Sequence, residues 1–182
     1  MDRIQKALEK AKLRHAQKPE PIRVEPTKTE NSVSQVEDPL AAPIESISYS
    51  QTKVVNVPNQ HLERKRIIAG FYNNPQSAVF RMLRTQVLKK MRSNRWQTLA
   101  VTSPTSGEGK SVVAANLAMA IAMELNQTVL LVDMDLRNPS ISNYFGLNAQ
   151  VGLKDYLSGD LKLSEVLINP GIKRLVILPG GG

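Results

Sequence analysis

The chain has 182 residues, 41% of them hydrophobic, which is enough for one ordinary core with tails around it. It contains no cysteine, which excludes disulfides and thiolate metal sites and favours a reducing, cytoplasmic setting. The formal net charge of +8 favours anionic partners, but aromatic residues make up only 4% and are not interleaved with the basic ones, so no nucleic-acid partner is expected.

The first 62 residues are predicted to lie outside the folded domain. Apolar residues recur at helical spacing near the N-terminus, which predicts a short, basic, amphipathic helix over residues 1–17. Over residues 18–62, six prolines alternate with polar residues and large apolar side chains are few, which predicts a disordered linker. The N-terminus carries charges throughout and matches no secretory signal, and no apolar run in the chain is long enough to span a bilayer.

Residues 63–182 are predicted to form one nucleotide-binding domain of the α/β class. In chain order, the pattern predicts a helix over residues 74–93, a strand over 96–103, a glycine-rich loop, a helix from Lys110, and a buried strand over 128–135. Two short helices over 152–168 and a further buried strand from Arg174 follow. The succession of strand, loop, helix and strand is typical of a parallel crossover, so we expect a parallel sheet with flanking helices.

The glycine-rich loop reads "SPTSGEGKS" and lies directly before an apolar helix. Backbone N–H groups and the positive end of the helix dipole meet there, so the loop is suited to anionic oxygens. It matches the phosphate-loop pattern G-x-x-x-x-G-K-[ST], except that Pro104 stands at the first glycine. The alternative is a tight strand-to-helix turn with a solvated lysine. The residues predicted to contact phosphates are Ser106, Gly107, Glu108, Gly109, Lys110, Ser111 and Val112.

A second motif, "VLLVDMDLRNP", places Asp133 and Asp135 at the end of the next strand. The carboxyl ends of neighbouring parallel strands open onto one crevice, so these carboxylates should face the phosphate loop. Two acids there can hold Mg²⁺ through water or accept a proton from an attacking hydroxyl. The predicted metal site is Ser111, Asp133 and Asp135. The alternative is that the acids pair with surface cations such as Arg137.

From about Asn74 onward the chain resembles the bacterial tyrosine autokinases (BY-kinases) of capsular and exopolysaccharide synthesis, within the MinD/ParA-like P-loop ATPases. "SPTSGEGKS" looks like their Walker A motif and "VLLVDMDLRNP" like their Walker A′ motif. "VFRMLRTQV" looks like the helix that precedes the nucleotide fold: Arg81 and Arg84 match the arginines of its assembly motif, and Ala78 stands where the glutamate would be. By this resemblance the chain is expected to be the N-terminal part of a longer protein, ending before Walker B.

The resemblance implies ATP and Mg²⁺ as cofactors and a tyrosine autokinase activity. Lys110 would bind the β- and γ-phosphates and Ser111 would coordinate Mg²⁺. Asp133 would activate a tyrosine hydroxyl or orient the water bound to the metal, and Asp135 would assist at the metal. The implied partners are a membrane-embedded polysaccharide chain-length regulator and a neighbouring copy in a homo-oligomer. The implied location is the cytoplasm, at the inner face of the membrane through the partner. The N-terminal helix would contact that partner or anionic lipid, and the alternative is a frayed helical tail.

Two other functions stay open from the sequence. A MinD/ParA-like ATPase would switch between monomer and dimer, although such proteins carry a signature lysine at the position of Thr105. A non-catalytic regulator of polysaccharide export would bind nucleotide without turning it over.

Overall fold

The computed structural model describes residue 49 and residues 52–181. The predicted helix over residues 1–17 and most of the predicted linker lie outside the described residues. The helices are α1 (Asn59–Arg64), α2 (Ser77–Ser93), α3 (Lys110–Ala122), α4 (Ile141–Tyr144), α5 (Leu153–Leu157) and α6 (Leu163–Val166). The strands are β1 (Lys53–Val54), β2 (Val129–Val132), β3 (Ile168–Asn169) and β4 (Leu175–Leu178).

The strands form one sheet in the order β1-β3-β4-β2. β2 pairs with β4 in parallel, with Val129 opposite Leu175, and β1 pairs with β3 in parallel. β3 and β4 are antiparallel, with Ile168 opposite Ile177. The α/β class is therefore confirmed, with a mostly parallel sheet that contains one antiparallel pair.

The core forms where α3 packs against the sheet and against α2. α3 is rich in alanine, and the small side chains of Ala115 and Ala120, both fully buried, let the helix backbone approach its neighbours closely. Phe145, Leu175 and Ile177 complete the centre of the core at 0% exposure. The core thus fixes the helix that begins at the phosphate loop. None of the helices within residues 52–181 is long and apolar enough to cross a membrane.

The predicted strand over residues 96–103 is wrong. The segment belongs to no sheet of the described residues, and the side chains of Leu99 and Val101 are 48% and 38% exposed. A strand needs a neighbour whose N–H and C=O groups face its own, and the apolar pattern reports only a tendency to be buried. No segment of the described part of the chain pairs with these residues. The strand β2 is also less buried than its apolar run predicts, because it lies at the sheet edge and Leu130 is 52% exposed.

The predicted linker boundary at residue 62 is also wrong, because β1 and most of α1 fall within residues 18–62. Pairing continues past β1, where the N–H of Val55 donates to the carbonyl of Asn169 at 2.8 Å. Pro58 occupies the N-cap of α1, and Leu62 is buried at 3% exposure. The composition did not indicate folded structure in this segment because backbone pairing with β3 needs few large apolar side chains, and because proline is well tolerated at a helix start. The folded domain therefore begins before residue 63.

Candidate nucleotide-binding site

The phosphate loop ends at the uncapped N-terminus of α3. Gly107 and Gly109 have φ angles of 81° and 90°, a region that non-glycine residues rarely adopt. Gly109 is the N-cap of α3, and no side chain caps the helix there. The N–H groups of Lys110, Ser111 and Val112 are therefore not used by the helix itself. Such groups, together with the helix dipole, are suited to anionic oxygens, and phosphate binding by this loop stays a prediction.

Two side chains of the phosphate loop form hydrogen bonds with other residues of the same loop. Ser103 Oγ donates to the carbonyl of Thr105 at 2.8 Å, and Thr105 Oγ1 donates to Glu108 Oε1 at 2.6 Å. Thr105 thus holds the carboxylate of Glu108 within the loop. The predicted contact between Glu108 and phosphate would have to be made by the backbone N–H of Glu108. Ser106 is exposed.

Lys110 and Asp135, which belong to the two separate motifs, are paired. Lys110 Nζ lies 3.3 Å from Asp135 Oδ2, and both side chains are about one-third exposed, at 32% and 35%. A hydrogen bond from the N–H of Asn138, at 3.1 Å, and the Lys110 ammonium lower the pKa of Asp135 below its usual value. The carboxyl end of β2 therefore faces the phosphate loop, as the sequence predicted.

Asp133 is placed differently from Asp135. It is buried at 5% exposure, and its Oδ2 accepts hydrogen bonds from the N–H groups of Ser140 at 2.7 Å and Ile141 at 3.0 Å. Its Oδ1 accepts from the N–H of Asp135 at 3.2 Å. Both oxygens thus bind backbone groups of the loop between β2 and α4. This carboxylate folds the loop and caps α4, whereas Asp135 presents the more accessible carboxylate.

Ser140 was missed by the sequence reasoning. Its Oγ donates to Ser111 Oγ at 2.9 Å and joins the loop after β2 to the first turn of α3. Ser140 occupies the N-cap of α4, where serine is common, yet its side chain makes no capping bond. The sequence alone would have assigned it to capping, since only the fold brings it beside Ser111.

Asn116 is a second unpredicted residue, fully buried on α3. Its Oδ1 accepts from the N–H groups of Ile68 at 2.7 Å and Ala69 at 3.0 Å. Its Nδ2 donates to the carbonyls of Arg66 at 2.8 Å and Val112 at 2.9 Å. One amide thereby fastens the first turns of α3 to the segment that follows α1. A buried asparagine in an apolar helix was the available signal, because such a group needs partners.

The two arginines of the predicted assembly motif both contact this chain's own residues. Arg84 Nη2 lies 2.7 Å from Glu124 Oε1, and its Nη1 donates to the carbonyl of Ala120 at 3.3 Å. The guanidinium of Arg81 lies 5.8 Å from the ring centroid of Tyr72. Arg84 thus ties α2 to the C-terminal end of α3, and assembly into a homo-oligomer stays a prediction.

Comparisons with known proteins match the part of the chain that contains the candidate site. A family model described as ParA, NUBPL iron-transfer P-loop NTPase, matches residues 94–163, which contain both motifs. The tyrosine-protein kinase CpsD of Streptococcus agalactiae is 35% identical over 103 residues, and YwqD of Bacillus subtilis (strain 168), also a tyrosine-protein kinase, is 33% identical over 105 residues. Over this part of its length the chain is similar to bacterial tyrosine-protein kinases.

The homology covers part of each protein. The alignments span 56% and 58% of this chain and 44% of CpsD and of YwqD. Among solved structures, the kinase domain of the Escherichia coli tyrosine kinase ETK matches with a TM-score of 0.57 and 28% identity, over 71% of this chain and 54% of that domain. The chimerical protein CapA2B2 matches with a TM-score of 0.54 and 28% identity over the same shares. The resemblance to P-loop kinases seen in the motifs is thus confirmed, and this fold implies nucleotide binding.

Proposed function

We propose that this chain is the nucleotide-binding part of an ATP-dependent protein tyrosine autokinase that regulates capsule or exopolysaccharide polymerisation and export. The observation that carries the proposal is the uncapped N-terminus of α3 behind the left-handed Gly109, with Lys110 and Asp135 brought together at its mouth. The names of the homologous tyrosine-protein kinases support it.

The residues of the site fit a triphosphate and Mg²⁺. The N–H groups at the start of α3 and the Lys110 ammonium would hold phosphate oxygens. The Ser111 hydroxyl and the Asp135 carboxylate are the hard oxygen donors that Mg²⁺ prefers, and Mg²⁺ fills its remaining positions with water and phosphate. Bound Mg²⁺-ATP would supply the phosphoryl group and neutralise the charge that develops during transfer.

The two aspartates would divide the remaining tasks. Asp133 binds three backbone N–H groups and holds the loop on which Asp135 lies. Asp135 keeps an accessible oxygen, so it is the better placed of the two to accept a tyrosine proton or to bind water on the metal. The family resemblance implied that Asp133 activates a tyrosine hydroxyl or orients the water bound to the metal, and the burial of that side chain favours Asp135 for either task. The partners proposed with this function are a membrane-embedded chain-length regulator and a second copy that supplies tyrosines, at the cytoplasmic face of the membrane.

The proposal is tested by incubating the full-length protein with Mg²⁺-ATP and detecting phosphotyrosine by mass spectrometry. Phosphotyrosine is expected in the unaltered protein and in Lys89→Ala, which removes an exposed lysine on α2, and is expected to be absent from Lys110→Ala. ATP hydrolysis without phosphotyrosine would instead support the MinD/ParA-like ATPase, which the match to the ParA family model favours as the second candidate. Nucleotide binding without turnover would support the non-catalytic regulator.

A further inference from the structure

We propose that Ser140 is a positioning residue that orients the hydroxyl of Ser111 for the Mg²⁺ of a bound nucleotide, and that Asp133 holds the loop that brings Ser140 there. The inference rests on the nucleotide site proposed above and assigns a task to a residue outside both motifs. Its basis is a continuous chain of contacts from the end of β2 to the first turn of α3.

The first link is the contact between Asp133 and the loop. Asp133 Oδ2 accepts the N–H groups of both Ser140 and Ile141, so one buried carboxylate fixes the backbone at the start of α4. Hydrogen bonds to a charged acceptor are stronger than neutral ones, which makes this attachment firm. The position of the Ser140 side chain is therefore set by Asp133.

The second link is the direction of the Ser140 hydroxyl at the start of α4. A serine at an N-cap ordinarily turns its hydroxyl back onto the N–H groups of its own helix. Here the Ser140 hydroxyl makes no capping bond, and Asp133 binds the N–H groups of Ser140 itself and of Ile141. The hydroxyl instead donates to Ser111 Oγ at 2.9 Å.

The third link is the chemistry of the Ser111 hydroxyl. A hydroxyl has one proton and two acceptor lone pairs, and its proton rotates to suit its surroundings. To bind a cation, Ser111 Oγ must offer a lone pair and turn its proton elsewhere. Ser140 Oγ, 2.9 Å away, can accept that proton when the two hydroxyls exchange donor and acceptor roles. Without Ser140, the Ser111 proton would lose this acceptor, and the lone pair of Ser111 Oγ would no longer be oriented toward the cation.

The test compares nucleotide binding with and without Mg²⁺ in the full-length protein, using a fluorescent ATP analogue in buffer that contains either Mg²⁺ or EDTA. The measured quantity is the ratio of the two affinities, which a general loss of structure would not lower selectively. Ser140→Ala is expected to lower this ratio about three- to tenfold, the size of one hydrogen bond. Affinity in EDTA should stay unchanged. Ser140→Thr keeps a hydroxyl and should restore the ratio, and Ser142→Ala, two residues along, serves as the matched control.

A double variant separates positioning from a purely structural effect. If Ser140 acts through Ser111, then Ser111→Ala with Ser140→Ala should lower the ratio no further than Ser111→Ala alone. Additive losses would overturn the proposal, and so would a Ser140→Ala protein with an unchanged ratio or with equal losses in both buffers. An unaltered protein that binds no nucleotide would overturn the proposed function as well, whereas normal Mg²⁺-dependent binding that ignores Ser140 would overturn this inference alone.

Discussion

Lys110 Nζ lies 3.3 Å from Asp135 Oδ2, so the lysine of the phosphate loop already has a carboxylate partner within the protein. A phosphate that binds Lys110 must compete with Asp135 for the same ammonium. Both side chains are partly exposed, and ion pairs of this kind are weak enough to be exchanged readily. The ion pair therefore positions the Lys110 side chain and still lets a phosphate replace Asp135 as its partner.

The competition predicts that Asp135→Asn strengthens the binding of nucleotide in the absence of Mg²⁺. The neutral amide releases Lys110, and affinity for ATP in EDTA should rise about two- to fivefold, the range of exposed ion pairs. With Mg²⁺ the gain should shrink or reverse, because the variant also loses a carboxylate beside the metal. Equilibrium titration with a fluorescent ATP analogue measures both conditions.

The matched control is Asp160→Asn, which removes the same charge from an exposed position outside both motifs. It should leave both affinities unchanged. Weaker binding of Asp135→Asn in EDTA would contradict the competition.

The lowered pKa of Asp135 predicts how the site responds to acid. A carboxyl whose pKa is lower in the folded state stabilises the fold above its usual pKa, and this contribution is lost as the pH falls through the lowered pKa. The pair with Lys110 should therefore be unaffected near neutral pH and be lost only in acid, as the pH falls through the lowered pKa of Asp135. NMR titration of the Asp135 carboxyl carbon should show the lowered midpoint.

The variant Lys110→Ala should raise that midpoint only in part. The N–H of Asn138 is the largest cause of the lowered pKa, and it remains in the variant. A midpoint at or above the usual value in the unaltered protein would show that neither group acts on Asp135.

The parts of the site that follow from local chemistry could be predicted from the sequence. The spacing of Gly107, Gly109 and Lys110 demands a glycine-rich turn into a helix, and the run before Asp133 demands a strand, so both motifs were placed correctly. Helix α2 also followed from its periodicity. These features depend on residues within a few positions of one another, where backbone sterics and periodicity are sufficient.

The features that were missed depend on distant partners. Ser140 meets Ser111 across 29 positions, and the oxygen of Asn116 meets Ile68 across 48, so neither contact leaves a local pattern. The failure of the strand over 96–103 has the same origin, because sheet pairing is decided by a neighbour elsewhere in the chain. The sequence could indicate which residues are apolar, but not which edge would be available to pair with them.

The four hydrogen bonds of Asn116 predict a large loss of stability in Asn116→Ala. The change leaves the buried N–H groups of Ile68 and Ala69 without their acceptor, and we expect a loss of about 3 kcal/mol in the free energy of unfolding. Asn116→Asp should also destabilise, because it retains an acceptor for those N–H groups but turns an oxygen toward the carbonyls of Arg66 and Val112. Urea unfolding followed by circular dichroism measures both variants.

The control for this prediction is Asn73→Ala, an exposed asparagine for which the described structure shows no side-chain hydrogen bond. It should change the stability by less than about 0.5 kcal/mol. A similarly small change in Asn116→Ala would mean that the amide does not fasten α3.

The C-terminus of α2 predicts that Arg95→Gly stabilises the protein. The N–H of Trp96 donates to the carbonyl of Met91 at 2.8 Å and that of Arg95 to Arg92 at 3.1 Å, the two bonds of a Schellman cap. Arg95 therefore occupies the left-handed position of that cap, with φ of 56°, where glycine is preferred. Relief of about 1–2 kcal/mol of steric strain should exceed the roughly 0.4–1 kcal/mol by which glycine favours the unfolded chain.

The net expectation for Arg95→Gly is a gain of about 0.5–1 kcal/mol in the free energy of unfolding. Arg92→Gly removes the same charge three residues earlier, inside the helix, where glycine should cost about 1 kcal/mol. Both variants remove one exposed arginine near the end of α2, but of the two residues only Arg95 has the left-handed backbone conformation, so urea unfolding should move the variants in opposite directions. If both variants are destabilised equally, the side chain of Arg95 contributes more to the stability of the fold than its left-handed backbone conformation costs.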